Sequence, residues 1–222
     1  MQALHGSLVA LVTPMSLNGD IDYVSLEKLI EWHIAEGTNG IVSVGTTGES
    51  STLNPIEHLD VIDFTVKHVN KRIPVIAGTG ANSTQEAIEL TQESKKLGSD
   101  YALLVTPYYN KPNQRGLIAH YEAVADSVDI PQILYNVPSR TACDLLPSSV
   151  QVLSEHKNIV GIKEALDSMD RIKELVKISS HAANNFSIYS GDDPTFMESL
   201  ALGAHGVISV AANIVPKSIS HI

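Results

Sequence analysis

One lysine stands near the centre of an apolar run, and its position suggests amine chemistry. The run reads IVGIKEA (residues 159–165), and Lys163 is its only basic residue. If the run is a strand, side chains alternate, and Lys163 faces the opposite side from Val160 and Ile162. A lysine on a buried face loses hydration, which lowers its pKa and leaves a nucleophilic free amine. The alternative is that Lys163 lies in solvent at the strand end and pairs with Glu164.

Further polar residues follow four other apolar runs. They are Thr46, Thr47, Gly48 and Glu49 in GTTGES, Tyr108 and Tyr109 in TPYYNKP, Tyr135 and Arg140 in YNVPSRT, and Asp192 and Asp193 in SGDD. Each group alone has an ordinary structural explanation, as a capped turn, packed rings, a surface cation or a helix cap. Together with a buried lysine they are typical of imine chemistry with a keto acid, because hydroxyls, amides and a guanidinium hold carboxylates while a phenol moves protons.

The sequence predicts neither a metal site nor a phosphate-binding loop. The helical segments contain His33, His58, His68 and His120, but their spacing does not form a ligand pattern. The pair Asp192 and Asp193 favours a helix cap for PTFMESL over a metal site. No GxSxG turn and no glycine-rich phosphate loop of standard spacing is present.

Eight apolar runs alternate with segments of helical periodicity. The runs read SLVALVTP, GIVSVG, IPVIAGTG, YALLVTP, PQILYNV, IVGIKEA, FSIYSGDD and GVISVAAN. Strict alternation of apolar strands and helices indicates a parallel sheet. Eight such units in 222 residues favour a closed (β/α)8 TIM barrel over an open doubly wound sheet. In such a barrel the polar residues above meet at the carboxyl ends of the strands.

Capping signals locate the starts of three helices. Asp22 precedes one periodic segment, and Asn54 precedes a proline and Glu57 at the start of another. Ser83 and Glu86 have the spacing of a capping box before the third helix, which KKLG is expected to end.

Composition limits the class of protein and its partners. The chain is 43% hydrophobic and 18% charged, which is typical of a globular protein. Its net charge of −10 argues against nucleic acid or an anionic membrane as a partner. A single cysteine, Cys143, excludes an intrachain disulfide and favours a cytoplasmic location, and we find neither a signal peptide nor an apolar run long enough to span a membrane.

No linker or change of composition divides the chain, so we expect residues 1–222 to form a single barrel domain. The sequence stops at PKSISHI, a few residues into the expected eighth helix. We therefore expect the barrel to be truncated early in that helix.

The motif set GTTGES, TPYYNKP, YNVPSRT, GIKEA and SGDD, in this order, resembles the dihydrodipicolinate synthase family. This family belongs to the pyruvate-dependent class I aldolase superfamily. The resemblance covers nearly all of the chain and implies a TIM-barrel lyase that condenses pyruvate with L-aspartate 4-semialdehyde on the route to diaminopimelate and lysine. It also implies that no metal or organic cofactor is needed, because the enzyme's lysine itself forms an imine with pyruvate.

The resemblance also implies a role for each matching residue. Lys163 would form the imine, and Tyr135 would move protons to and from it. Thr46 would link Tyr135 to Tyr109 of the neighbouring subunit in a homodimer or homotetramer. Further, Thr47 and Gly48 would hold the pyruvate carboxylate, and Arg140 would bind the carboxylate of the aldehyde. Family members continue into a helical C-terminal region that is absent here, which leaves the oligomeric state open.

Inhibition by L-lysine is a further expectation from the resemblance. The matching residues are Ser50, Ser51, His58, Asn82, Glu86 and Tyr108. Pro55 stands where lysine-sensitive members often have histidine, so we expect weak to moderate partial inhibition. The alternative is structural, with Glu86 completing a capping box and His58 on a helix surface.

Two other functions remain open. The first is a related aldolase, either N-acetylneuraminate lyase or a 2-keto-3-deoxy-sugar-acid aldolase. Arg140 favours a short substrate with a second carboxylate over a sugar acid, which needs groups that bind hydroxyls. The second is an inactive barrel with a binding or regulatory role, which the expected residue type at every catalytic position disfavours.

Overall fold

The protein, described here for residues 4–221 by a computed structural model, forms a closed barrel of eight parallel strands. Each strand pairs with the next in chain order, and β8 pairs with β1. The predicted closed barrel is confirmed, and all eight predicted runs contain a strand. The strands are β1 Gly6–Ala10, β2 Gly40–Ser43, β3 Val75–Gly78, β4 Tyr101–Val105, β5 Gln132–Asn136, β6 Ile159–Glu164, β7 Ser187–Ser190 and β8 Gly206–Ser209.

Helices follow the strands and surround the barrel. They are α1 Tyr23–Ala35, α2 Pro55–Val69, α3 Thr84–Leu97, α4 Gln114–Ser127, α5 Pro138–Thr141, α6 Pro147–Leu153, α7 Met169–His181, α8 Phe196–Ala201 and α9 Pro216–Ser220, with a 3-10 turn at Ala211–Asn213. Between residues 4 and 221, no helix combines the length and the apolar character that crossing a membrane requires.

The predicted caps begin the first three helices. The Asp22 carboxylate accepts a hydrogen bond from the Ser25 amide at the start of α1. At the start of α2, the Asn54 side chain accepts a hydrogen bond from the backbone amide of Glu57, and the Glu57 carboxylate accepts one from the backbone amide of Asn54. These two bonds form a full capping box. The box predicted for α3 is only half formed. The Ser83 hydroxyl accepts a hydrogen bond from the Glu86 amide at 3.4 Å, but the Ser83 amide donates none to the Glu86 carboxylate.

Apolar side chains fill both faces of the barrel wall. One buried cluster, which includes Leu8, Leu103 and Ile133, fills the barrel interior and is called the interior cluster below. Other buried clusters pack the outer faces of the strands against the helices. The strands are therefore covered on both faces, which explains their continuous apolar sequences.

One irregularity lies between β5 and β6. Gln132 pairs with Ile159 and the next residue, Ile133, pairs with Gly161, so Val160 is an extra residue in β6. Val160 packs against the interior cluster, whereas Ile159 belongs to a cluster between the barrel and the helices. The expectation that Val160 shares a face with Ile162 is therefore wrong, because this bulge interrupts the alternation.

Candidate active site

Lys163 lies inside the barrel, near the carboxyl end of β6. It pairs in register with Tyr135 of β5 and Tyr189 of β7, and both tyrosines belong to the interior cluster. The lysine is 4% exposed, and its Nζ lies 4.3 Å from the centroid of the Tyr135 ring. The alternative in which Lys163 pairs with Glu164 in solvent is therefore wrong.

Burial makes the Lys163 ammonium group unusually acidic. Loss of hydration is the largest effect and, with repulsion from Arg140, lowers the pKa of Lys163 to about 8, against an opposing attraction from Asp193. A lysine of this pKa has a much larger fraction of free amine near neutral pH than a solvated one. The site thus contains an amine nucleophile that is available without a neighbouring base.

A glycine directly after the next strand, β7, provides the space for the lysine side chain. A Cβ on Gly191 would lie 2.8 Å from Cε of Lys163 and 3.0 Å from Cβ of Ala165. Both distances are shorter than normal carbon contacts, so a larger residue at position 191 would move the amine.

Tyr135 is buried beside the lysine and is hydrogen-bonded to Thr46. Burial raises the pKa of Tyr135, although the bond to Thr46 and the charge of Arg140 act in the opposite direction. The phenol therefore keeps its proton at neutral pH and can donate it. Thr46 itself is exposed at the mouth of the barrel, in the turn after β2.

The turn GTTGES is held in an unusual backbone conformation. Val44, just before it, has φ +48°, a left-handed conformation that is unfavourable for a β-branched residue. The Gly48 carbonyl accepts a hydrogen bond from the Thr13 hydroxyl at 2.7 Å, and a Cβ on Gly48 would lie 3.0 Å from the Leu11 carbonyl oxygen. Thr47 is half-buried between Thr46 and Gly48 in this turn.

A cavity of about 290 Å³ opens beside the turn. Thr46 and Arg140 both line it. Five of the six residues expected to bind lysine also line it, and they are Ser50, Ser51, His58, Glu86 and Tyr108. None of the ion pairs within residues 4–221 involves Arg140, so its guanidinium faces the cavity without a bound carboxylate.

Six of the predicted site residues do not line this cavity, and they are Lys163, Tyr135, Thr47, Gly48, Tyr109 and Asn82. Tyr109 is 88% exposed, so its side chain is hardly covered by its own chain, and its backbone is left-handed with φ +71°. Asn82 is also absent from the cavity lining, and its carbonyl accepts a hydrogen bond from the Asn110 side chain. His58 is buried and its Nε2 lies 2.7 Å from the Gly78 carbonyl oxygen, so the expectation of a helix-surface position for it is wrong.

The aspartates after β7 do not cap α8 as predicted. The N-cap of α8 is Thr195, whose side chain makes no capping bond to the helix. Asp192 instead accepts a hydrogen bond from the Thr195 hydroxyl, and Asp193 accepts from the amides of Val210 and Ala211. Asp193 thus ties the segment after β8 to β7, close enough to Lys163 to raise its pKa.

Sequence reasoning missed the surroundings of Glu164. Its side chain is fully buried on the outer face of β6, where it contacts Asn136 and Arg171. Burial is the largest effect on this carboxyl group and raises the pKa of Glu164 to about 7. The signal available in the sequence was a carboxylate on the outer face of a strand otherwise covered by helices, which requires a buried partner.

Within the described range, 4–221, no group of three or more His, Cys, Asp or Glu side chains could hold a metal ion. The residues described above bring an amine, a phenol, hydroxyls and a guanidinium to the carboxyl end of the parallel barrel.

Comparison with known proteins assigns this arrangement to a family. The sequence profile of the Dihydrodipicolinate synthetase family matches residues 3–222. The chain belongs to this family. Among curated relatives, the 4-hydroxy-tetrahydrodipicolinate synthase of Stutzerimonas stutzeri is 55% identical over 219 residues, which cover 99% of this chain and 74% of the relative. That of Thermodesulfovibrio yellowstonii is 57% identical over 217 residues, or 98% of this chain and 73% of the relative.

Solved structures of family members agree closely with this barrel. The chloride-inhibited dihydrodipicolinate synthase from Acinetobacter baumannii, complexed with pyruvate, is 56% identical with a TM-score of 0.95 and covers 99% of this chain and 74% of that one. The dihydrodipicolinate synthase from Cyanidioschyzon merolae with lysine bound is 39% identical with a TM-score of 0.93, covering 98% of this chain and 74% of that one. The predicted membership of the dihydrodipicolinate synthetase family is thereby confirmed.

Proposed function

We propose that this chain condenses pyruvate with L-aspartate 4-semialdehyde to give 4-hydroxy-tetrahydrodipicolinate, and that Lys163 is the residue that forms the imine. The reaction belongs to lysine and diaminopimelate biosynthesis, and the enzyme is a lyase of the class I aldolase type. The observation that carries the assignment to Lys163 is its burial at the carboxyl end of β6, with a pKa lowered to about 8.

In the first step the free amine of Lys163 attacks the pyruvate carbonyl, and loss of water gives a protonated imine. Tyr135 is the proton donor for the leaving hydroxyl group, because burial keeps its phenol protonated beside the amine. The Tyr135 phenolate left by this donation takes up a methyl proton, which gives an enamine that attacks the aldehyde carbon while the aldehyde oxygen is protonated. The amino group of the aldehyde substrate then displaces the Lys163 amine from the imine carbon, which closes the ring and frees the lysine. Covalent chemistry at Lys163 supplies the electron sink, so the reaction needs no metal or organic cofactor.

Two carboxylates have to be held during this reaction. The turn with Thr47 and Gly48 holds that of pyruvate, since its amides and hydroxyls lie at the mouth of the barrel. Arg140 holds the carboxylate of the aldehyde substrate. Its unpaired guanidinium lines the same cavity as Thr46, which is bonded to Tyr135.

Tyr109 acts in the site of a second subunit, so the enzyme works as a homodimer, alone or within a homotetramer. This is supported by the 88% exposure of Tyr109 and by its position after β4, at the end of the barrel that carries the site. A ring held outward in a left-handed backbone conformation is poorly placed for a role within its own chain. A monomeric variant of dihydrodipicolinate synthase is known among the solved structures, and it is 39% identical to this chain.

The part of the cavity formed by Ser50, Ser51, His58, Glu86 and Tyr108 binds L-lysine as a partial inhibitor. Glu86 supplies the negative charge for an ammonium group. Burial raises the pKa of Tyr108, and the charge of Glu86 acts in the same direction. Asn82 lies outside the cavity lining and therefore contributes less than the other five residues.

The decisive experiment is reductive trapping. The chain is incubated with pyruvate and sodium borohydride, and the modified peptide is mapped by mass spectrometry. Modification at Lys163 supports the proposal, whereas modification of another lysine, or none, would contradict it. Lys163→Arg is the control, because a guanidinium stays protonated and does not form the imine. A coupled assay with aspartate semialdehyde, with N-acetylneuraminate as the competing substrate, then identifies the second substrate.

A further inference from the structure

A polar cluster lies directly behind the reactive pair, on the outer face of β5 and β6. Asn136 and Glu164 pair across these strands one position after Tyr135 and Lys163. Adjacent residues of a strand point to opposite faces, so one pair faces the barrel interior and the next faces the helices. With Arg171 and Asp144, the residues Asn136 and Glu164 form what we call the rear cluster.

Hydrogen bonds connect every member of the rear cluster. The Asn136 amide nitrogen lies 3.1 Å from both Glu164 oxygens and 2.8 Å from Oδ1 of Asp144. The Arg171 guanidinium bridges the two carboxylates, with Nη1 3.3 Å from Glu164 and Nη2 2.8 Å from Asp144. Glu164 also accepts from the Leu166 amide at 3.0 Å. The cluster therefore fixes the relative position of β5, β6 and the start of α7.

The same cluster fixes the segment that follows Arg140. Asn136 Oδ1 accepts a hydrogen bond from the Leu145 amide at 2.9 Å, and Arg171 donates to the Leu145 carbonyl at 3.1 Å. Asp144 and Leu145 come four and five residues after Arg140 in the chain, just beyond α5. The groups that connect β5 to β6 thus also hold the loop that carries the proposed aldehyde-binding arginine.

We propose that the rear cluster is a positioning device for the proposed reaction, which sets the Tyr135 phenol against the Lys163 amine and holds Arg140 over them. This inference rests on the proposed function. A charged group of this kind, with Glu164 buried and Asp144 partly exposed, is weak evidence for stability, since well-packed apolar residues serve at least as well. A planar amide and a planar guanidinium that each bond the same three residues, Glu164, Asp144 and Leu145, instead restrict angles and distances. Such restriction is what a proton transfer between neighbouring strands requires.

Two variants of the full chain test the proposal. Glu164→Gln keeps the shape but loses the charge that Arg171 contacts, and Arg171→Lys keeps the charge but loses the planar fork. The control is Asn184→Ala, which removes hydrogen bonds to the carbonyls of His156 and Ile159 at the opposite end of β6. For each protein, borohydride trapping counts the functional sites, and kcat and both KM values are expressed per trapped site.

We expect kcat per trapped site to fall about 10- to 100-fold in both rear-cluster variants. A displacement of a reacting group by about 1 Å is enough to lower a rate by this factor. The KM for the aldehyde should rise while that for pyruvate stays near the wild-type value, because Arg140 moves with the loop. Asn184→Ala should lose thermal stability but keep its kcat per site.

Other results would overturn the inference in distinct ways. Wild-type kcat per site in Glu164→Gln or Arg171→Lys, at lower Tm, would make the cluster purely structural. Failure of both variants to fold would lead to the same conclusion. If the wild-type chain is not trapped by pyruvate at all, the proposed function itself fails, and this inference fails with it.

Discussion

Tyr135 and Lys163 face each other across adjacent parallel strands, with the lysine Nζ 4.3 Å from the centroid of the tyrosine ring. A cation near the face of an aromatic ring is attracted by the ring quadrupole. The protonated imine proposed for Lys163 would keep a positive charge near the same ring. The ring is thus placed to stabilise the intermediate as well as to carry the phenol that moves protons.

The rate of imine formation should depend on pH with an inflection near 8. Only the free amine attacks pyruvate, so the rate should rise about tenfold per pH unit below the pKa of Lys163 and level off above it. Initial rates of borohydride trapping between pH 6 and 10 measure this. Asp193→Asn should move the inflection to lower pH, because the Asp193 charge raises the lysine pKa. An inflection at the ordinary value of about 10.4 would contradict burial of the amine.

Gly191→Ala should slow imine formation about 10- to 100-fold while the fold persists. The new Cβ would meet the Lys163 side chain at 2.8 Å, and a flexible lysine can move away at the expense of its position. The measurement is the trapping rate together with Tm. Gly116→Ala is the matched control, because its Cβ would meet only the side chains of Pro112 and Asn113, just before α4, at 3.2 Å or more. It should leave the trapping rate unchanged. Equal rates in both variants would show that Gly191 does not set the lysine position.

Arg140→Ala should raise the KM for aspartate semialdehyde far more than the KM for pyruvate. A charge-assisted hydrogen bond contributes about 1.5–3 kcal/mol, which corresponds to about 10- to 150-fold. Steady-state kinetics with each substrate varied in turn measures the two effects. Arg115→Ala removes an exposed arginine outside the cavity and should change neither value. Equal effects of Arg140→Ala on both substrates would assign Arg140 to pyruvate or to the fold.

Mixing inactive Tyr109→Phe and Lys163→Ala chains should restore part of the activity. In a mixed dimer one site combines Lys163 of one chain with Tyr109 of the other, if Tyr109 crosses the interface. A mixture of Tyr135→Phe and Lys163→Ala chains is the control and should stay inactive, because both residues act within one chain. If the subunits exchange and the first mixture also stays inactive, Tyr109 serves its own chain.

L-Lysine should inhibit partially, and Glu86→Gln should weaken this inhibition about tenfold or more, since a charge-assisted contact contributes about 1.5 kcal/mol or more. Titration of lysine at fixed substrate concentrations measures the effect. Glu89→Gln, on the same helix but outside the cavity lining, should leave it unchanged. The proposed lysine site would be wrong if wild-type activity persists at tens of millimolar lysine, which corresponds to about 2 kcal/mol of binding free energy.

The sequence was sufficient for the barrel because each strand has a local signature. Apolar runs covered on both faces, followed by caps such as Asp22 and Asn54, determine strands and helix starts without knowledge of distant contacts. The half-formed box at Ser83 and Glu86 shows that residue spacing alone does not predict which side-chain hydrogen bonds form. Spacing permits the reciprocal bond, but the direction of an exposed side chain depends on its surroundings.

The candidate site was predictable in its residue types but not in its packing. The motifs indicated Lys163 and Tyr135, whereas the space that Gly191 leaves and the charge of Asp193 come from the segment after β7. The partners of Glu164 could not be predicted from the sequence either, because Arg171 lies on the following helix and no local sequence pattern pairs it with Glu164. Burial of a charge is a tertiary property, and its partner can come from any element packed nearby.

The extra residue in β6 determines which face of the barrel wall each later side chain of that strand occupies. Ile159, opposite Gln132, faces the helices. Counted from there in regular steps of two, Lys163 would also face the helices, and Glu164 would enter the barrel. Because Val160 is an additional residue, the alternation of faces shifts by one residue after it. The Lys163 amine therefore enters the barrel, and the Glu164 carboxylate faces the helices. Which of these two side chains enters the barrel thus depends on whether β6 contains the extra residue. A one-residue shift of β6 would place the Glu164 carboxylate inside the barrel instead of the Lys163 amine.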